Sequence, residues 1–399
     1  MIGPREVEGA VERLEGVVRA TPLTPSETIS RLAGRPVLFK PEHLQRTGSF
    51  KIRGAYNRIA RLPAGARVVA ASAGNHAQGV ALAARLNGLD ATIFMPVNAA
   101  LPKVEATRGY GAEVRLEGGG VDDCIELARR FAEEAGSVYV PPFDDPDVVA
   151  GQATVGWELA REAPDGATVV VPVGGGGLVG GTAAALARWA PGVKVVGVEA
   201  EGAASMRAAL AAGRPVRLEA VATIADGIAV REVSPLTLDH VRAYVDDVVT
   251  VSDEEISRAM LLLLERAKWL VEPAGAAGLA AVLGGRLPAG RGPVVVVLSG
   301  GNVDPLLLTR LVEHGLTAAG RYLRLRVLLR DHPGALAGLA AALADLGLNV
   351  LDVAHHRSGG TTAAPDEVEV LVTVETRDPA HRDQTVADLR DRGFRIERS

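Results

Sequence analysis

The stretch Arg46-Thr47-Gly48-Ser49-Phe50-Lys51-Ile52-Arg53-Gly54-Ala55 sets a lysine at the start of an apolar helical pattern. Phe50, Tyr56, Ile59 and Leu62 recur at helical spacing, and Ser49 has the side chain of an N-cap. Lys51 then falls in the first turn, where the backbone macrodipole disfavours a cation. Arg53 adds a like charge nearby. Both effects favour the neutral amine, the form that attacks a carbonyl and makes a Schiff base. The residue choice is informative too, because the chain has five lysines against 38 arginines. Bulk positive charge is met with arginine.

Three further segments have a common plan. Arg67–Ala71 reads as a short buried strand, and Ser72-Ala73-Gly74-Asn75-His76-Ala77-Gln78-Gly79 opens a helix after it. Thr168–Val173 is a second strand, running into Gly174-Gly175-Gly176-Gly177-Leu178. Pro293–Leu298 is a third, ending in Ser299-Gly300-Gly301-Asn302. In an open α/β sheet such joints place ligands beyond the carboxyl ends of the strands. With Lys51, these four motifs resemble the pyridoxal-phosphate enzymes of the tryptophan-synthase β-subunit fold type (fold type II). Within that group the likeness is to the threonine dehydratases, also called threonine ammonia-lyases, over roughly residues 15–315. The resemblance implies an α/β catalytic domain over residues 1–320, built of two open twisted α/β lobes. The smaller lobe, roughly residues 45–150, would be inserted in the larger.

The resemblance also implies roles. Lys51 matches the lysine that carries pyridoxal 5'-phosphate and then serves as general base at the substrate Cα. Asn75 matches the asparagine that hydrogen-bonds the cofactor's 3-hydroxyl. Gly174, Gly175, Gly176 and Gly177, with Leu178, match the loop that wraps the cofactor phosphate, where residues without a Cβ let several amides converge on one anion. Ser299 matches the partner of the pyridine nitrogen, a hydroxyl that does not hold the ring protonated as an aspartate would. The backbone amides of Ser72, Gly74, Asn75 and His76 match the substrate-carboxylate site, with His76 itself structural. Ala73 stands where serine racemases have a proton-donating serine, so elimination is expected rather than racemisation. The metal site of that branch maps onto Glu199, Ala203 and Ser205, with serine in place of an aspartate, and no metal is expected.

One pattern points elsewhere. Gly175-x-Gly177-x-x-Gly180 follows a strand and opens a helix, with Glu199 nineteen residues further on, which satisfies the dinucleotide-binding fingerprint. That reading leaves Lys51, Asn75 and Ser299 without a task.

After Gly320 the order becomes βαββαβ, a ferredoxin-like α+β arrangement. With Asp331-His332-Pro333-Gly334-Ala335-Leu336 at its first strand-to-helix turn, it resembles an ACT domain over residues 321–399. That module binds small amino-acid effectors, here at Pro333 and Gly334. Gly315–Gly320 reads as a linker, Ser358–Ala364 as a flexible hairpin loop, and Ser252–Glu255 as a capping box.

Composition bounds the partners. A formal charge of -5 and the lack of a basic run exclude an electrostatic case for nucleic acid. Cys124 is the single cysteine, as suits a reducing compartment, and the N-terminus lacks a signal-peptide pattern. Ala167–Ala187 is uncharged, but Pro172 and four glycines break it as a spanning helix. The expectation is a cytoplasmic enzyme that deaminates L-threonine to 2-oxobutanoate, with a branched-chain amino-acid effector, no membrane, and a homodimeric or homotetrameric state. An L-serine dehydratase and a catalytically silent amino-acid sensor are the alternatives.

Overall fold

The computed structural model describes residues 1–288, 290, 292–318, 320–357 and 366–398. Contacts divide the chain into two compact units, Met1–Asp304 and Pro305–Ser399.

The first unit holds two sheets. One contains β1 (Thr24–Pro25), β2 (Val37–Lys40), β7 (Thr168–Pro172), β8 (Lys194–Ala200), β9 (Asp247–Val251) and β10 (Val294–Val297) in the order β1-β2-β10-β7-β8-β9. The other contains β3 (Arg67–Ala71), β4 (Asp90–Met95), β5 (Glu113–Leu116) and β6 (Val138–Tyr139) in the order β5-β4-β3-β6. All pairs are parallel except β1 with β2. The chain leaves the first sheet after β2, builds the second, and returns at β7. Continuous β-branched runs mark strands covered on both faces. Accordingly Val169, Val170, Val171 and all of Val294–Val297 are fully buried.

Register places the site. Val296 of β10 is opposite Phe39 of β2 on one side and Val170 of β7 on the other. The carboxyl ends of these three strands therefore open on one edge. They lead to the Lys51 segment, to Ser299 and to Gly174. Helix Asn75–Leu86 packs on the second sheet, its Ala77, Val80 and Ala84 buried with Val68, Ala70 and Ile93. The capping box is present, with Ser252 N donating to Glu255 Oε2 at 2.8 Å and Glu255 N to Ser252 Oγ at 3.2 Å.

The second unit has one antiparallel sheet in the order β12-β13-β11-β14, from β11 (Tyr322–Arg330), β12 (Asn349–His356), β13 (Glu367–Glu375) and β14 (Arg395–Arg398). Helices Ala335–Asp345 and Pro379–Asp391 complete the βαββαβ order, and Leu339, Leu343, Val386 and Leu389 enter the core with Val327, Val370 and Val372. The expected linker at Gly315–Gly320 is corrected, because helix Pro305–Ala318 runs through Gly315. Leu311 and Gly315 lie on its buried side, and packing outweighs the roughly 1 kcal/mol that a glycine costs inside a helix. The expected loop at Ser358–Ala364 lies outside the described residues.

Candidate active site

Lys51 is the first residue of helix Lys51–Ile59. Ser49 does not cap that helix: its backbone is extended, it bridges to Gly300, and its buried hydroxyl has no partner among the described residues. The bridge, with Phe50 N donating to Ser299 O at 3.1 Å, ties the start of the helix to the end of β10. Helix Asn75–Leu86 comes as close. A Cβ on Gly79 would stand 3.1 Å from the Lys51 carbonyl carbon, so the absence of a side chain there lets the two helices meet.

The Lys51 Nζ donates to the Pro142 carbonyl at 3.0 Å. Burial pushes the amine down to about 8, against the pull of the nearby Glu272 carboxyl. A depressed amine is thus found where the sequence implies one, but Arg53 is not its cause. Arg53 is fully buried, with Nε and Nη2 on Glu42 at 2.8 Å each and Nη1 on Glu158 at 2.6 Å. Burial alone would lower this guanidinium, and the two carboxylates raise it instead. Its charge is spent in the core.

Asn75 opens its helix and joins a polar chain that sequence reasoning missed. Its Nδ2 donates to Glu272 Oε1 at 2.6 Å, and its Oδ1 accepts from Asn302 Nδ2 at 2.7 Å. The same Asn302 nitrogen donates to Thr47 O at 2.7 Å. Glu272 is 3% exposed. Burial and the Asp226 charge raise its carboxyl to about 7, opposed by Lys103 and the Asn75 bond. Glu272-Pro273-Ala274-Gly275 and Asn302 are visible in the sequence, but nothing local shows that they converge on Asn75.

His76 is structural. Its ring Nε2 donates to the Val140 carbonyl at 2.8 Å, and burial with the Lys51 charge lowers it to about 3. The Ser72 amide is committed to the Phe94 carbonyl at 3.1 Å, which withdraws it from the expected anion site, while the Ser72 hydroxyl accepts from Gly74 N at 3.1 Å. With the Gly74 amide engaged as well, the expected amide set is corrected to Asn75 and His76.

The four glycines turn β7 into helix Gly177–Trp189, with Gly176 at φ 88° as its N-cap. A Cβ would stand 2.1 Å from the Phe143 ring at Gly175 and 2.6 Å from Met206 Cε at Gly176. The loop is pinned without side chains at the start of a 13-residue helix whose first residues, Gly177 and Leu178, are buried. Ser299, 4% exposed, follows β10 beside it. Glu199 is turned to another use. Fully buried, it accepts from Met206 N at 2.7 Å and Arg207 N at 2.9 Å, so it caps helix Ser205–Ala212 and is not free to take a ribose. Among the described residues no group of three His, Cys, Asp or Glu is placed to hold a metal ion. No helix among them is long and apolar enough to cross a membrane.

These residues fit pyridoxal 5'-phosphate. An aldehyde needs a lysine with an accessible neutral form, met by Lys51 at about 8. A phosphate suits a side-chain-free loop at a buried helix start, as Gly174–Gly177 provide. A pyridine nitrogen and a phenolic oxygen can take neutral hydrogen-bond partners, available at Ser299 and Asn75.

Comparison with known proteins agrees. The profile described as "Pyridoxal-phosphate dependent enzyme" matches residues 14–300, and that described as "ACT domain" matches residues 323–394. An L-threonine ammonia-lyase of Thermotoga maritima is 45% identical over 399 residues, covering 99% of each chain. One of Geobacter sulfurreducens is 45% identical over 394 residues, covering 98% of each. Among solved structures, the processed form of threonine deaminase isoform 2 from Solanum lycopersicum superposes with a TM-score of 0.73 at 36% identity, over 77% of this chain and 87% of that one.

Proposed function

Since the chain belongs to the pyridoxal-phosphate dependent enzymes and carries an ACT domain, we propose that it is an L-threonine ammonia-lyase forming 2-oxobutanoate and ammonia. The observation that carries this reading is the Lys51 amine, held at about 8 beside the Asn75–Glu272 pair, in a chain alike over 99% of its length to an enzyme of that name. L-serine is a second substrate differing by one methyl group, and the place in metabolism is the first committed step toward isoleucine.

Pyridoxal 5'-phosphate, when bound, supplies the electron sink that acidifies the substrate's Cα–H. Lys51 would hold it covalently, Gly174–Gly177 and Leu178 its phosphate, Ser299 its ring nitrogen and Asn75 its hydroxyl. The Lys51 amine would serve as the base for the Cα proton, and its lowered proton affinity suits a base working near neutrality. The amides of Asn75 and His76, with the Ser72 hydroxyl, receive the substrate carboxylate at the start of helix Asn75–Leu86. Ala73 has no proton to return on the other face, so loss of the β-hydroxyl is favoured over racemisation. Loss of the Cα proton and the β-hydroxyl as water would leave an enamine, which tautomerises off the enzyme to an imine that hydrolyses to keto acid and ammonia.

The ACT unit supports a regulatory role. A cleft of about 360 Å³ is bounded by the turn Asp331–Leu336, including Pro333 and Gly334, and by Arg330, His355 and Arg357, with Leu329 and Val368 as apolar walls. Paired charges over an apolar floor suit a branched-chain amino acid. A cytoplasmic homo-oligomer with an even number of subunits completes the reading. The test is keto-acid release by purified holoenzyme from L-threonine, from L-serine and without substrate, with Lys51→Ala alongside. Wild type is expected to be yellow and active, and Lys51→Ala to lose both the visible band and turnover. A fully active Lys51→Ala would overturn the reading.

A further inference from the structure

Lys103 is the third residue of helix Leu101–Gly109, in a first turn where the helix dipole disfavours a cation. Its side chain is 12% exposed, and its Nζ lies 2.6 Å from Asp226 Oδ2, on a side chain that is 57% exposed. The pair spans the two lobes, from the helix that leads into β5 to the short 3-10 turn Asp226–Ile228. The same ammonium looks onto the loop that opens helix Asn75–Leu86. A Cβ on Gly74 would have a single neighbour within 4 Å among the described residues, the Lys103 Nζ at 3.8 Å. Gly74 therefore leaves the space on its Cβ side open toward a largely buried cation.

We propose that Lys103 is the cation that receives the substrate's α-carboxylate, and that Asp226 holds it only until the substrate arrives. This rests on the reading of the chain as an amino-acid lyase. Charge favours the exchange. Asp226, more than half exposed, regains water when it lets go, and the incoming carboxylate replaces it on the ammonium. A substrate carboxylate placed there takes over the bond to the ammonium and adds charge-assisted bonds from the helix amides, which Asp226 does not have. Residue type favours it too. In a chain with 38 arginines a guanidinium would serve Asp226 as well or better, through its fixed two-pronged grip. An ammonium is a point charge on a flexible stem, able to swing from one carboxylate to another. Glu272, whose carboxyl feels the charges of both Lys103 and Asp226, holds Asn75, so the arrival of the carboxylate is felt by the polar chain that reaches Asn75.

The test is calorimetry on holoenzyme with L-2-aminobutanoate, which has the carboxylate but no β-hydroxyl to lose, together with KM and kcat for L-threonine. Lys103→Gln is expected to weaken binding by about ten- to a hundredfold and to raise KM by more than it lowers kcat. Lys103→Arg should recover part of the affinity. Asp226→Asn, which frees the ammonium, should bind as tightly as wild type or more so. The carboxylate-free amine 1-aminopropan-2-ol should bind wild type and Lys103→Gln alike. The proposal is overturned if Lys103→Gln binds L-2-aminobutanoate as wild type does. It is also overturned if Asp226→Asn weakens binding as much as Lys103→Gln, which would make the pair an interlobe strut. Should Lys103→Gln not fold, Asp226→Asn and Lys103→Arg decide. A wild type that releases no keto acid sinks the lyase reading instead, so the two failures are distinct.

Discussion

Replacing Arg53 by methionine tests the buried charge cluster that holds the Lys51 helix. Arg53 and Glu42 are both fully buried, and Arg53 makes two bonds of 2.8 Å to Glu42, two of 2.6 and 3.1 Å to Glu158, and one of 3.1 Å to Thr154. Glu158 is 20% exposed and keeps Lys40 at 2.8 Å, so it has another cation and some water. Glu42 is left with the Thr21 hydroxyl at 2.6 Å and the more distant charge of Lys40. Stranding a buried carboxylate costs about 3–5 kcal/mol, and Arg53→Met should lose that much in urea unfolding followed by circular dichroism at pH 7.5. The pH dependence gives the cause. Burial pushes Glu42 upward, but Arg53 overcomes it and holds the carboxyl below 4.5. In wild type this contribution is present above 4.5 and is lost as pH falls through the folded value. In the variant burial is opposed only by the Thr21 hydroxyl and the distant Lys40, so the carboxyl rises, protonation relieves it, and the gap to wild type narrows on going to pH 5. Adding Glu42→Gln should restore at least about 1 kcal/mol, a coupling that independent sites do not show. An Arg53→Met loss under about 1 kcal/mol, or no rescue by Glu42→Gln, would refute the claim that this pair carries the cluster.

Gly175→Ala drives a methyl into the Phe143 ring, where the Cβ would stand 2.1 Å away. Overpacking of this kind costs about 1–3 kcal/mol, so cofactor affinity measured by fluorescence titration should fall about five- to a hundredfold. Glu272→Gln removes a carboxyl raised to about 7 by burial and by Asp226. The folded protein keeps that proton after the unfolded chain has released it at 4.5, so wild type loses stability as pH rises from 4.5 to 7. The glutamine variant escapes this, and the stability difference should shift in its favour by about 3 kcal/mol between pH 4.5 and 8. Gly334→Asp places a side chain at φ 92°, at a turn where a Cβ meets nothing within 4 Å. The cost is conformational, about 1–2 kcal/mol, confined to the ACT unit. Calorimetry should show loss of isoleucine or valine binding while activity without effector stays within about twofold.

The sequence by itself determined the fold class and the motif order. Runs such as Val169–Val171 and Val294–Val297 are β-branched and uninterrupted, which suits only strands covered on both faces, and glycine or serine at their ends marks where ligands approach. Lys51, Asn75, the four glycines and Ser299 were legible because each stands at the end of such a strand or the start of a helix. The C-terminal βαββαβ order was legible for the same reason, since period and turn residues are local. What lay between the motifs was not. Ser49 has the side chain of a cap, yet the bridge to Gly300 pulls its backbone extended. Arg53 looks like a repelling neighbour of Lys51, yet one helical residue between them turns it to the opposite side, onto Glu42 and Glu158. Glu199 fits a ribose by spacing, yet it closes the amides of the next helix. Glu272, Asn302, Asp226 and Lys103 come from segments far apart in sequence, and only the meeting of the two lobes sets them around Asn75 and Gly74. A side chain's partner depends on which strands are neighbours, and β10 lies between β2 and β7 through contacts made across more than a hundred residues. Local pattern gives the ends of the strands. Tertiary structure alone decides whose charge each buried group meets there.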